Sequence, residues 1–178
     1  CLEFMRKLLI FLLFAFLASF LLHPLFSINQ DLGRHLKIGE IIWQTKSVPK
    51  TNLFSYTNPD FQFVNTHWLS EVLFYGLAAA AGLKGLIIIK TVIIMLSFAL
   101  VLRLAQKRNF WLAFIVSLLA IGILAERTHV RPEIFSFLIF ALFLCILTPL
   151  AQTRFGQACP NRVWVLPVLQ LAWVNLHI

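Results

Sequence analysis

Apolar and polar stretches alternate along most of this chain of 178 residues. A helix of about 20 apolar residues crosses the hydrocarbon core of a bilayer, and runs of about that length, or slightly shorter, recur here. The pattern therefore predicts an all-α fold, a polytopic bundle of transmembrane helices. Its expected spans are residues 8–26, 86–104, 110–125, 133–150 and 163–178.

One long stretch, residues 27–83, departs from this pattern and is expected to form an extracytoplasmic first loop that contains surface helices. Within it, residues 29–46 carry Leu32, Leu36 and Trp43 near one face of a helical wheel, with charged residues around the rest. That arrangement is too polar for a span and is typical of a helix that lies on a membrane surface.

Two short segments after this surface helix alternate aromatic and polar residues. They are residues 54–57 and 61–64, and the sequence Asn-Pro-Asp lies between them. These three residue types favour tight turns. We expect a short hairpin or an extended loop here, with its aromatic side chains at the lipid boundary.

A further helix is predicted at residues 67–82, and it is short for a span. Asn65 or Thr66 is expected to cap its N-terminus. If it crossed the membrane, later basic loops would lie outside. If it stays at the outer surface, the basic loops 103–109 and 151–162 both lie in the cytoplasm, as the positive-inside rule prefers. We therefore expect that residues 67–82 do not cross the bilayer.

Composition supports an integral membrane protein. Hydrophobic residues make up 60% of the chain and charged residues only 12%, whereas soluble domains have roughly half and a quarter. The net charge is +8, but the basic residues mostly flank apolar runs. They therefore indicate topology signals and lipid headgroup contacts rather than a nucleic-acid surface.

The first apolar run follows Arg6 and Lys7, which place the N-terminus in the cytoplasm. No small-x-small cleavage site follows the run, so an uncleaved span is favoured over a signal peptide. The chain begins with Cys1 and ends inside an apolar run. We expect residues 1–178 to be the N-terminal part of a single, larger transmembrane domain.

Ionisable residues gather in the predicted first loop. Asp31, with Arg34 and His35, directly follows the first run, and a carboxylate at the membrane surface can act as a general base or position a cation. A simple acidic residue in the first helical turn is the competing interpretation. Further on, His67 and Glu71 are four residues apart and can pair on one helix face.

A second charged cluster separates two later apolar runs and contains Glu126, Arg127, His129, Arg131 and Glu133. Arginine binds phosphate through its planar, bidentate donors, so this cluster is a candidate phosphate site. The alternative is a polar hairpin in which the proline and glutamate at its end simply begin the next helix.

Metal chemistry has little support in the sequence. His35, His67, His129 and His177 lack any spacing such as His-Glu-x-x-His. No cofactor is predicted, and a divalent metal remains an unsupported alternative. The chain also has no glycine-rich phosphate loop and no paired-cysteine motif.

The charged residues belong to a longer series of motifs. In chain order these are Asp31, Val48-Pro49, Phe54-Ser55-Tyr56-Thr57, His67-x-Leu69-x-Glu71, Arg131-Pro132 and Trp173-x-Asn175-x-His177. The series resembles bacterial polytopic membrane proteins of the GT-C glycosyltransferase superfamily, which includes protein mannosyltransferases and aminoarabinose transferases. The resemblance covers nearly the whole chain, as the N-terminal portion of such a protein.

The resemblance implies a membrane glycosyltransferase that moves a sugar from a polyprenyl-phosphate donor to an acceptor on the outer face of the bacterial cytoplasmic (inner) membrane. Asp31 matches the acidic residue that serves as base or positions the acceptor. Only one acid is present there, with Gln30 beside it, which departs from an Asp-x-Asp metal motif. Arg127 and Arg131 would stabilise the phosphate leaving group. Supporting residues would be Arg34, His35, His67, Glu71, Glu126 and His129.

The expected partners are the lipid-linked sugar donor, membrane lipid and an unidentified acceptor, with no nucleic acid. Two alternatives stay open. A transporter or flippase component for a lipid-linked or anionic substrate would place ionisable groups near mid-membrane, where only Lys90 comes close. A non-catalytic membrane scaffold would tolerate the loss of Asp31.

Overall fold

The computed structural model describes residues 2–22, 30–58, 60–125, 129–152 and 163–177. These residues are mostly helical and contain no strand, so the all-α part of the prediction is confirmed. The helices are α1 (Leu2–Leu21), α2 (Gln30–Thr45), α3 (Trp68–Ala105), α4 (Phe110–Ala125), α5 (Glu133–Gln152) and α6 (Val165–Leu176).

Two of the described helices, α1 and α3, are long and apolar enough to cross a membrane. Shorter apolar helical segments are Phe110–Ala125, Glu133–Thr148 and Val165–Leu176. Helix α1 begins at Leu2, before the predicted span 8–26, because the polar residues that precede the apolar run are also helical. Glu3 and Lys7, one turn apart, form an ion pair of 2.9 Å in its first turns.

Helix α3 joins the two helices predicted at 67–82 and 86–104. It begins at Trp68, with His67 at the N-cap position, and runs to Ala105. A break occurs at Gly82, which has φ 65° and ψ −173°. Glycine adopts this conformation without the steric conflict that a Cβ atom would cause. The two predicted helices therefore exist as two segments of one element.

The predicted hairpin has a different register. A single antiparallel bridge joins Thr51 to Gln62, and Phe63 donates its backbone N–H to Lys50 at 2.8 Å. The segment that pairs with 61–64 therefore lies nearer 50–52 than 54–57, so the hairpin alternative is wrong for residues 54–57 and the extended-loop alternative fits them. Residues 53–58 instead form turns and bends, in which Asn52 Oδ1 accepts the backbone N–H of Phe54 and Ser55 Oγ accepts that of Asn58.

Helix α2 lies against the first segment of α3. Its buried side chains include Leu32, Ile38 and Ile42, while Trp43 is exposed. A Cβ atom at Gly39 would overlap the backbone carbonyl of Glu71, so the two helices touch backbone to backbone there. The apolar side chains of this helix were predicted to face the membrane. That prediction is wrong for Leu32, because its face of α2 packs on α3.

The end of α1 is fixed by a buried lysine. Lys90 of α3 is fully buried, and its Nζ donates to the carbonyl of Leu21 at 2.8 Å. Thr91 Oγ1 donates to the same carbonyl at 3.3 Å. The last carbonyls of a helix lack partners within it, so these side chains anchor the end of α1 to α3.

Candidate functional site

A polar cleft lies where α2, α3 and α5 begin and α6 ends. It has a volume of about 200 Å³. Its lining residues are Asp31, Arg34, His35, His67, Arg131, Pro132, Glu133 and His177. Helix N-termini carry partial positive charge and unpaired N–H groups, which favour anions. The setting therefore suits a negatively charged ligand.

An ion pair crosses the cleft between residues 100 positions apart. Arg131 Nη2 donates to Asp31 Oδ2 at 3.1 Å. Both side chains stay partly open to solvent, at 38% exposure for Arg131 and 45% for Asp31. The Nε atom of Arg131 is buried and has no hydrogen-bond partner among the described residues. The guanidinium thus keeps donor capacity for another anion.

A buried acid–base pair lies behind the cleft wall. His35 and Glu71 are 3% and 2% exposed, and His35 Nδ1 lies 2.9 Å from Glu71 Oε1. Asn65 Nδ2 donates to the other carboxylate oxygen. An isolated buried carboxylate is costly, and these two partners satisfy Glu71 from α2 and from the loop before α3.

Histidine rings fill the side of the cleft where α3 meets α6. His67 and His177 stack with centroids 5.3 Å apart and rings 19° from parallel, and His35 lies 6.1 Å from His67. Burial lowers the pKa of His67, and the neighbouring His177 and His35 lower it further. Glu71 and a backbone contact at Thr66 oppose that decrease in pKa.

Hydrogen bonds fix the end of α6 in this arrangement. His177 Nδ1 lies 2.8 Å from Ser136 Oγ, which also accepts from Trp173 Nε1 at 2.8 Å. Trp68 Nε1 donates to Asn175 Oδ1 at 2.8 Å. Because Trp68 and Ser136 belong to α3 and α5, these bonds connect three helices around the cleft.

Most of the predicted site residues meet in the cleft, namely Asp31, Arg34, His35, His67 and Arg131. Glu71 lies directly behind them, but the predicted His67–Glu71 pair is wrong, because His35 and Asn65 occupy both carboxylate oxygens.

Of the three other predicted residues, the structure describes only His129. His129 is half-buried and does not line the cleft. Glu126 and Arg127 lie outside the described residues.

Several residues of the cleft were not predicted from the sequence as site residues. Glu133 was interpreted only as part of a charged cluster and a helix start, although it lines the cleft. His177 belongs to the motif Trp173-x-Asn175-x-His177, whose polar members all bond or stack at the cleft. That motif was the available signal. No local pattern distinguishes Asn65 and Ser136, whose roles depend on distant partners.

Within the described ranges, no three His, Cys, Asp or Glu side chains are grouped so that they could hold a metal ion. No family model, curated protein or solved structure matches this chain. The geometry and the sequence carry the functional interpretation.

Proposed function

We propose that the protein is a multi-pass protein of the bacterial cytoplasmic membrane that transfers a sugar from a polyprenyl phosphate to an acceptor at the outer face. One observation carries the proposal. A carboxylate that can accept a proton, Asp31, lies 3.1 Å from a guanidinium that can bind phosphate, Arg131, in a cleft at the end of an apolar helical bundle.

Arg131 is the proposed phosphate ligand. Its Nε has no partner among the described residues, and Arg34 lines the same cleft. Guanidinium groups bind phosphate oxygens through parallel donors, and the N-termini around the cleft add favourable potential. A bound phosphate would compete with Asp31 for Arg131. Arg127 is proposed as a second ligand on the strength of its sequence position.

Asp31 is the proposed base. It takes the proton from the acceptor hydroxyl while the hydroxyl oxygen bonds to C1 of the sugar. The bond between C1 and the phosphate oxygen breaks, and its electron pair stays on the phosphate. Arg131 stabilises the charge that develops there, as preorganised donors do in other group transfers.

The lipid part of the donor needs an apolar path beside the cleft. A cavity of about 300 Å³ lies between α3, α4 and α5, and its lining includes Ile94, Phe98, Ala120 and Phe137. Phe137 follows Glu133 of the cleft by four residues, about one helical turn. An isoprenoid chain in this cavity would keep its phosphate near Arg131.

The carrier alternative relies on Lys90, the ionisable residue nearest the middle of an apolar run. Its ammonium group donates to the end of α1, which gives it a structural use. The scaffold alternative differs in what it tolerates, since it has no need of Asp31. The transferase proposal is preferred because it uses the groups that meet in the cleft.

Replacement of Asp31 tests the proposal. Asp31→Asn keeps the size of the side chain but removes the basic carboxylate, so sugar transfer should fall by about 100-fold or more. Arg131→Lys should reduce transfer less, since charge remains and the bidentate fork is lost. Transfer is measured in membranes that contain the protein, supplied with polyprenyl-phosphate sugars.

The matched control is Asp60→Asn, an exposed acid of the loop, which should retain wild-type transfer. Near-normal transfer by Asp31→Asn, with wild-type levels of protein in the membrane, would remove Asp31 from the mechanism and leave the scaffold or carrier alternatives ahead.

A further inference from the structure

The buried pair of His35 and Glu71 is a site that the proposed reaction does not yet use. Glu71 accepts from Asn65 Nδ2 through one oxygen and lies 2.9 Å from His35 Nδ1 through the other. Asn65 is itself held, because its Oδ1 accepts the backbone N–H of His67 at 3.0 Å. The orientation of the carboxylate is therefore fixed by the start of α3.

These contacts determine where the imidazole carries its hydrogens. An ionised carboxylate only accepts hydrogen bonds, so the hydrogen on Nδ1 of His35 points to Glu71. The remaining polar atom of the ring is Nε2, and among the described residues it has no hydrogen-bond partner. His35 lines the cleft. When the ring is an imidazolium paired with Glu71, its second proton is on Nε2 and faces a ligand in the cleft.

His35 and Asp31 also have a defined relation on α2. They are four residues apart and share one helix face, separated by about 6 Å along the helix axis. Both line the cleft. Sugar-processing enzymes commonly place a proton donor and a proton acceptor on either side of the reacting carbon.

We propose that His35 is the general acid of the transfer reaction and that Glu71 is its positioning residue, an inference that rests on the proposed function. Asp31 takes the acceptor proton as the new bond to C1 forms. As the bond from C1 to the phosphate oxygen breaks, its electron pair goes to that oxygen, which receives the proton from His35 Nε2. The products are the glycosylated acceptor and a polyprenyl hydrogen phosphate. Asp31 is left protonated, and its proton returns to His35 through solvent.

The test uses two donors that differ only in the acidity of the leaving phosphate. One is a polyprenyl-phosphate sugar, and the other carries fluorine on the prenyl carbon next to the phosphate. A more acidic phosphate needs less help from a proton donor. His35→Asn keeps an N–H group for Glu71 but has no proton at Nε2. It should lose about 100-fold in transfer from the ordinary donor and less than about 10-fold from the fluorinated donor.

Two further variants separate this role from a structural one. Asp31→Asn should lose activity equally with both donors, because the acceptor proton is unchanged. Glu71→Gln should lose less than His35→Asn and should also recover with the fluorinated donor, because its effect acts through His35. His129→Asn, outside the cleft, should match the wild type with either donor.

Equal losses with both donors for His35→Asn and Glu71→Gln would overturn the inference while wild-type transfer upholds the proposed function. If wild-type protein transfers sugar from neither donor, the proposed function and this inference both fall. Helical content by circular dichroism is compared for every variant. If His35→Asn does not fold, the relative transfer of Glu71→Gln from the two donors tests the same effect.

Discussion

The two ends of the helical bundle are held together by different forces. At the cleft, side-chain hydrogen bonds connect α2, α3, α5 and α6, as in the bonds of Arg131 to Asp31 and of Trp68 to Asn175. At the opposite end, α3 and α4 enclose an apolar cavity of about 390 Å³, with Arg108 and Asn109 at its rim. The side-chain bond described there is local, from Leu112 N to Asn109 Oδ1 at 3.1 Å.

The two ends of the bundle should therefore differ in how well they tolerate substitutions. A buried polar network requires each member, because a partner left unsatisfied in the interior is costly. Apolar packing with spare volume accepts changes in side-chain size at a small energetic penalty. We therefore expect substitutions at the cleft end to affect both stability and activity, and substitutions at the opposite end to have little effect on stability.

Loss of Glu71 should have the largest effect. Glu71→Ala removes a 2%-exposed carboxylate and leaves His35 and Asn65 without their partner, so it should lower the free energy of unfolding by about 3–5 kcal/mol. Glu40→Ala is the control, since the Glu40–Lys37 pair is surface-exposed and is worth about 1 kcal/mol or less. Reversible unfolding in detergent, followed by circular dichroism, measures both. Equal losses would contradict the distinction between buried and exposed pairs.

Gly39→Ala should have the next largest effect, because a Cβ atom there meets the backbone carbonyl of Glu71. Separating α2 from α3 should lower the free energy of unfolding by about 1–3 kcal/mol and displace His35 from Glu71, with loss of transfer. Gly33 lies on the same helix with open space around it. Gly33→Ala should therefore stabilise the protein by about 0.5–1 kcal/mol. The same sign for both variants would argue against the close contact.

The opposite end should accept added volume. Ala120 lines both apolar cavities, so Ala120→Leu should change the free energy of unfolding by less than about 1 kcal/mol. Ala141 is 1% exposed and lines neither cavity. Ala141→Leu should destabilise by about 1–3 kcal/mol through overpacking. A larger loss for Ala120→Leu would show that the cavities are not spare volume.

The smallest effect concerns pH. The pKa of His67 is lowered in the folded protein, chiefly by burial, so the unfolded chain binds more protons as the pH falls through the usual range of histidine. The contribution of His67 to stability is full above that range and is lost at lower pH. The melting temperature should therefore fall from pH 7.5 towards pH 5, and His67→Gln should reduce this slope. His129→Gln is the control. An unchanged slope in His67→Gln would assign the pH dependence elsewhere.

The sequence is informative where a feature depends on neighbours along the chain. The bounds of α4 match the predicted run at 110–125, because an uninterrupted apolar segment follows the turn at Asn109. The break at Gly82 was also anticipated, since glycine marks the end of the predicted helix. Residues of the cleft were identified by type, as charged or histidine side chains outside apolar runs.

Pairings between distant residues were beyond the reach of sequence patterns. Helical spacing favours Glu71 with His67, yet the approach of α2 at Gly39 brings His35 to the carboxylate instead. Lys90 is a similar case. It is an ionisable residue inside an apolar run, and packing of α1 places a backbone carbonyl within its reach. Both outcomes depend on how helices dock, which no local pattern encodes.

The break at Gly82 has a geometrical consequence for α3. The helix has 38 residues, and at about 1.5 Å per residue a straight helix of that number would be about 57 Å long. A bilayer with its headgroups is only about 40–45 Å thick. An unbroken rod standing upright would therefore project well beyond the headgroups. With the break at Gly82, the 24 or so residues from Gly82 onward form a straight segment about 36 Å long, and the shorter segment before Gly82 begins at the cleft.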